Sequence, residues 1–201
     1  MPPLVPRRRM SGRSHPVLDG AVIADDDTHL ITAIQSRDRA ALEQLYLGYH
    51  PRLARFLARM IARSEDIEEI INDTFMVAWT HATAFRFESL VSTWIFGIAY
   101  RLTLRSLRRQ KMQLPEWSAV ILPEQGADPG PDTEMTNWLE CALGRLPVNL
   151  KVTVTLAYQM GFSVDEISQI TKTPIGTVKS RMFHARVRLR EIVEELDGRA
   201  L

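Results

Sequence analysis

Residues Ser163–Leu189, SVDEISQITKTPIGTVKSRMFHARVRL, decide how the chain is read. Ser163 opens the stretch as a helix N-cap, and Glu166, three positions on, supplies the partner of a capping box. Ile167 and Ile170 give this short helix an apolar side. Thr171, Lys172 and Thr173 make a tight turn. Thr173 then serves as the next N-cap and Pro174 takes the first helical position, where its missing N–H costs nothing. In the second helix Ile175, Val178, Met182, Ala185 and Leu189 recur at helical spacing and predict a buried stripe. The other face shows Thr177, Lys179, Ser180, Arg181, His184, Arg186, Arg188 and Arg190, and no Asp or Glu occurs from Ile167 to Arg190. A solvated helix usually mixes its signs, so this one-sided run implies a polyanionic partner. Two short helices about a tight turn, the second basic, have the sequence form of a helix-turn-helix, whose second helix enters the DNA major groove.

The chain has 201 residues and a net charge of +1, so affinity for nucleic acid has to come from local segregation of charge. Cys141 is the one cysteine, which excludes a disulfide framework and a Cys-based zinc site; its apolar surroundings predict a packing role. The five histidines show no pair at metal-ligand spacing, and neither a metal nor a cofactor is expected. There is no phosphate-cradling glycine loop and no nucleophile–base set, so an enzyme is not expected either. Arg7, Arg8 and Arg9 are not followed by a signal-peptide-length apolar segment, and no run is long enough to span a bilayer. The expectation is a cytoplasmic protein without membrane insertion.

Residues 1–27 are rich in Pro, Arg, Gly and Ser, then acidic at Asp25–Asp27, and read as a disordered tail. Leu30, Ile31 and Ile34 predict a short helix. Asp38 can cap a longer one with Leu42, Leu45, Tyr46, Tyr49, Leu53, Phe56, Leu57 and Met60 on one side, and Pro51 predicts a kink or break near His50. Ser64 is the expected cap of the next helix, with Ile67, Ile70, Ile71, Thr74, Phe75, Ala78 and Trp79 inward and Asp66, Glu68, Glu69 and Asp73 outward. Phe85–Ser92 lacks periodicity and reads as a loop. A third long helix, from about Thr93 to Lys111, is apolar and aromatic at first and basic later. Basic residues interleaved with aromatics suit single-stranded DNA, because charge tracks phosphates while rings stack on bases; several of these rings also suit a core.

Met112–Thr133 contains four prolines and four acids without Lys or Arg, and reads as a flexible acidic linker. Beyond it Trp138, Leu139, Ala142, Leu143 and Leu146 predict a helix. Pro147 opens another that ends at Gly161, although its centre, KVTVTLA, has strand propensity; Leu150, Val154 and Tyr158 at four-residue spacing favour helix. The fold class is therefore all-α: a helical domain at 28–111 and a helix-turn-helix domain at 134–197, joined by the linker at 112–133. One surface suits closed duplex and the other suits exposed bases, a combination that fits promoter recognition.

Three stretches carry a resemblance. SEDIEEIINDTFMVAW, from Ser64, resembles region 2 of bacterial RNA polymerase sigma factors of the extracytoplasmic-function (group IV, sigma-70 family) type. STWIFGIAYRLTLRSLRRQ, from Ser92, resembles the −10-reading and melting part of that region, and Leu143–Leu189 resembles region 4. The resemblance implies a sigma factor for a stress- or signal-responsive gene set. It places Asp66, Glu69, Asn72, Asp73 and Phe75 against the β′ clamp helices of core RNA polymerase, with the β flap as a further contact. It assigns −10 binding and melting to Arg86, Phe87, Ser89, Trp94, Tyr100, Arg101, Arg105 and Arg108, with the Phe85–Ser92 loop holding a base flipped out of the stack. It assigns −35 binding to Lys172, Thr177, Lys179, Ser180, Arg181, His184 and Arg186. It places the acidic linker in the polymerase RNA-exit path and implies an anti-sigma partner. The chain departs from the family pattern at Lys172, where relatives often have Gly, and at His184, where they often have Arg. It departs also at Asn72-Asp73 in place of Gln-Glu and at Tyr100-Arg101 in place of Arg-Asn. The competing expectation is a stand-alone helix-turn-helix regulator whose N-terminal helices sense a signal or dimerise.

Overall fold

A computed structural model describes residues 27–113 and 141–197, all of whose regular elements are helical. The predicted tail before Asp27, most of the acidic linker, and Trp138 and Leu139 lie outside the described residues. Among the described residues eight α-helical segments follow in order. They are α1 (Thr28–Gln35), α2 (Arg39–Leu57), α3 (Ser64–His81), α4 (Val91–Gln113), α5 (residues 141–144), α6 (Val148–Val154), α7 (Val164–Thr171) and α8 (Ile175–Asp197).

The N-terminal unit forms where the apolar periodicity says it should. Ile31, Ile34, Leu45, Tyr49, Leu53, Phe56, Leu57, Ile71, Ile95 and Phe96 are its buried centre. Asp38 caps α2 by accepting from the Ala40 and Ala41 amides at 2.8 and 3.4 Å. Asp27, which the sequence reading placed in the tail, instead anchors the bundle: its Oδ2 accepts from the Tyr49 hydroxyl at 2.6 Å. Pro51 does not break α2, which runs through it to Leu57. Pro51 and Leu47 lie on the outer face, where the carbonyl left without its amide partner can bond to water, while Tyr49, Leu53 and Phe56 hold the inner face. Ser64 does not cap α3. It is the first helical residue, Arg63 precedes it in extended conformation, and no side chain caps the amides.

In the C-terminal unit the β-branched run is helical as expected, but α6 ends in a π turn at Thr155–Gln159. The Met160 amide donates to the Thr155 carbonyl and the Phe162 amide to that of Leu156. This widened turn shifts the register, so Tyr158, expected inward, is 57% exposed. Ile175 is also corrected: it is 42% exposed, at the first position of α8. Cys141 is exposed and does not pack, since α5 buries Ala142 and Leu143 instead. Val154, Ala185 and Ile192 join these two and Leu146 in a small cluster.

The larger core runs through both units, from Leu30 to Val178. The broadest helix contact in the described structure is α4 against α7. Phe162 meets Phe96 edge-on at 4.9 Å, and Phe96 packs on Phe56 at 5.4 Å. The Arg52 guanidinium lies over Phe96 and Tyr49 and donates to the Met160 carbonyl at 3.5 Å. Arg59 Nε donates to Gln159 Oε1 at 3.3 Å, and Thr93 Oγ1 to Glu166 Oε1 at 3.4 Å.

Candidate nucleic-acid and polymerase interfaces

The helix-turn-helix is built as the sequence predicts at its first cap. Ser163 N donates to Glu166 Oε2 at 2.7 Å and Glu166 N to Ser163 Oγ at 3.3 Å, a complete capping box. Lys172 ends α7 in left-handed conformation, φ 52° and ψ 41°. A side chain in that conformation costs roughly 1–2 kcal/mol, so the turn with Lys in place of Gly is strained rather than rearranged. The Ser168 hydroxyl donates to the Thr173 carbonyl at 2.6 Å and holds the turn closed. Thr173 does not cap α8. Its hydroxyl donates to the Thr171 carbonyl at 3.3 Å and accepts from Arg181 Nη1 at 3.3 Å, so it supports the reading helix instead.

At about 100° per residue, Thr177, Ser180, Arg181 and His184 share one side of α8, away from buried Val178 and Ala185. Lys179 and Arg186 fall on the opposite flank, separated from them by exposed Phe183 and Val187. Lys172 is exposed beside the N-terminus of α8. The structure thus brings four of the seven predicted −35 residues together and sets Lys179 and Arg186 apart.

The predicted −10 residues lie on the loop before α4 and along α4. Phe87 is 43% exposed with φ 58°, its ring 5.0 Å from that of Phe85. A bulky residue held in left-handed conformation is unusual, and such strain gathers at functional loops. Phe85 is buried and stacks on Trp94 at 4.7 Å, leaving Trp94 half-buried and aimed from a firm base. Arg86, Arg101, Arg105 and Arg108 are exposed, while Ser89 is partly covered. Tyr100 is half-buried; burial pushes its pKa upward, and Arg181 and Arg108 are near enough to oppose that shift.

On α3, Glu69, Asn72 and Asp73 are exposed, and Asp66 accepts from Gln110 Nε2 at 3.2 Å. Phe75 is 4% exposed and packs on Tyr46, so it supports this face from beneath rather than presenting its ring. Sequence reasoning missed Met76 and Leu47, which are 63% and 64% exposed. Met76 lies one turn beyond Asn72 and Asp73, and the signal was available: an apolar residue out of phase with the buried stripe. It missed Arg52 and Phe162 as well, whose partners, Met160 and Phe96, lie far away in sequence. The described residues include no cluster of metal-ligating side chains and no helix long and apolar enough to cross a membrane.

Residues 45–112 match the family described as Sigma-70 region 2, and residues 136–189 match Sigma-70, region 4. The chain is 33% identical over 172 residues to the ECF RNA polymerase sigma factor SigM of Mycobacterium tuberculosis, covering 85% of this chain and 86% of that one. It is 29% identical over 183 residues to the ECF RNA polymerase sigma-E factor of Haemophilus influenzae, covering 85% and 96%. Among solved structures it is similar to the sigma factor RpoE of Bartonella quintana in complex with the anti-sigma factor NepR. That likeness has a TM-score of 0.66 at 25% identity, over 76% of this chain and 96% of that one. The fold is shared also with CnrH in complex with the cytosolic domain of CnrY, at a TM-score of 0.63 and 18% identity, over 86% and 99%. Two matched regions in the same order, with relatives spanned almost end to end, place the chain in the extracytoplasmic-function group of the sigma-70 family: it is a sigma factor.

Proposed function

We propose that this sigma factor binds core polymerase through the α3 face, reads the −35 element with α8, and opens and holds the −10 element with the Phe85–Leu90 loop and α4. The observation that carries this reading is the separation of chemistries on one chain. Glu69, Asn72, Asp73 and Met76 form an acidic face with an exposed apolar residue, which suits a basic protein partner. Thr177, Ser180, Arg181 and His184 suit base edges and phosphates of closed duplex. Trp94 and Phe87, with Arg101, Arg105 and Arg108 beyond them, suit unstacked bases and their phosphates. Lys179 and Arg186, on the other flank of α8, are assigned to flanking phosphate rather than to bases. Phe75 is assigned a supporting role in polymerase docking.

The domain divisions follow the same reading: a polymerase- and −10-binding unit at 28–111, a linker at 112–133 that follows the RNA-exit path, and a −35-binding unit at 134–197. The protein acts in the cytoplasm, has no catalytic activity of its own, and is held silent by an anti-sigma partner. Run-off transcription tests the reading. Core polymerase supplemented with this chain should give promoter-specific transcripts from genomic templates, and Asp73→Lys should abolish them while leaving the circular-dichroism spectrum unchanged. Absence of any promoter-specific transcript with the native chain would overturn the proposal.

A further inference from the structure

Three cations converge where the end of α2 meets α6 and its widened turn, and none of the roles assigned above uses them. Lys151 is 7% exposed, yet among the described residues it forms no ion pair and no hydrogen bond. Burial pushes its pKa down, and the charge of Arg59, just beyond α2, pushes the same way. Arg59 itself reaches Gln159 Oε1 at 3.3 Å. Arg52, two turns before it, donates to the Met160 carbonyl through Nη2, but its Nη1 is buried without a partner. The hydroxyl of Thr155, a residue 1% exposed that opens the widened turn, is buried without a partner too. Lys151, Thr155 and Gln159 follow one another at four-residue spacing, so they share the side of α6 that meets the end of α2.

The groups left over in this corner are donors. An ammonium and a guanidinium Nη can only donate, and a hydroxyl is free to. Burying charges of one sign without an acceptor is unfavourable. Asp27, whose charge reaches Arg52, is already engaged by the Tyr49 hydroxyl. An acceptor on every side is what a compact oxyanion offers, and Arg and Lys bind phosphate through short, charge-assisted hydrogen bonds. Single π turns also gather at functional sites. We propose that this corner is an anion site, in which a phosphate group seats against Lys151 and Arg59 and takes further hydrogen bonds from Arg52 Nη1 and the Thr155 hydroxyl. Gln159 is exposed and Arg59 half-buried, so a phosphate ester would carry its organic part on that side. Inorganic phosphate and the terminal phosphate of a nucleotide share this chemistry.

Isothermal titration and thermal melts of the full chain test this, in phosphate-free buffer with ionic strength held by chloride. Inorganic phosphate and guanosine diphosphate are the probes. The native chain should show saturable binding of at least one of them, and its thermal midpoint should rise by about 5 °C at a hundredfold excess over the dissociation constant. Lys151→Met should cross over. Without probe its midpoint should exceed the native one, because a buried like charge is gone, and the probe-dependent rise should vanish. Thr155→Val keeps the shape, removes one donor and should weaken binding about tenfold. Arg39→Met, which removes an exposed charge at the start of α2, is the control and should bind as the native chain does. Saturation by inorganic phosphate alone identifies a site for the free anion, and tighter saturation by guanosine diphosphate identifies one for a nucleotide. No saturable binding of either probe, or a rise that grows without saturating, would overturn the site. So would native-like binding by Lys151→Met. Should that variant fail to fold, native-like binding by Thr155→Val decides against the site in its place.

Discussion

At the scale of single residues, the turn of the helix-turn-helix shows how a local departure becomes measurable. Lys172 sits at φ 52°, a conformation glycine adopts freely. Lys172→Gly should therefore stabilise the fold by about 1 kcal/mol, seen as a rise of about 2–4 °C in the thermal midpoint, with −35 affinity lowered only by the lost charge. Arg181→Ala should weaken −35 binding by about 1–3 kcal/mol, and should flatten the preference at one base position if the guanidinium reads a base edge. A loss equal on every promoter variant, in a binding titration, would assign it to phosphate. Tyr49 provides a pH signature. Burial, then the bond to Asp27 and its charge, raise the phenol pKa above its usual 10.0. A raised folded pKa gives a contribution complete below about pH 10 and lost as pH rises beyond it. Thermal melts should accordingly fall off on the alkaline side. Tyr49→Phe should flatten that fall at a cost of about 1 kcal/mol near neutrality.

At the scale of elements, most helices were legible because their apolar periodicity and their caps agree. Asp38 and Ser163 cap as read; Ser64 does not, because it is itself the first helical residue, and Thr173 does not, because its hydroxyl is spent on the Thr171 carbonyl. The misplaced residues share a physical cause. Tyr158 follows a widened turn that regular spacing cannot represent, and Ile175 is the first residue of its helix, at the open end of the buried stripe. The candidate sites were legible in residue type but not in facing. The basic run of α8 gave no sign that Lys179 and Arg186 turn away from Arg181, since charge patterning carries no angle until the buried stripe is fixed. α4 gives the prediction that belongs to this scale. Trp94 stacks on buried Phe85 and reaches the surface half-covered, so Trp94→Ala should impair open-complex formation more than polymerase binding. Permanganate footprints of the bubble should fade while co-purification with core polymerase persists.

At the scale of the whole molecule, the sequence divides cleanly into two units and a linker, yet the larger core passes from one unit into the other. No periodicity could disclose that, because Phe96 and Phe162, or Arg52 and Met160, meet across long stretches of chain and satisfy local rules equally well when apart. The widened turn at Thr155–Gln159 then acquires a meaning beyond its own hydrogen bonds. It sets the rotational phase at which the chain leaves α6, and so the bearing of Phe162. A wide turn spends one residue more than ordinary winding on the same rotation, so deleting one codon within those five positions leaves the exit where it is, while inserting one codon just after them swings it by about 100°. Each half would keep its own packing, while the aromatic hook between them would point into solvent.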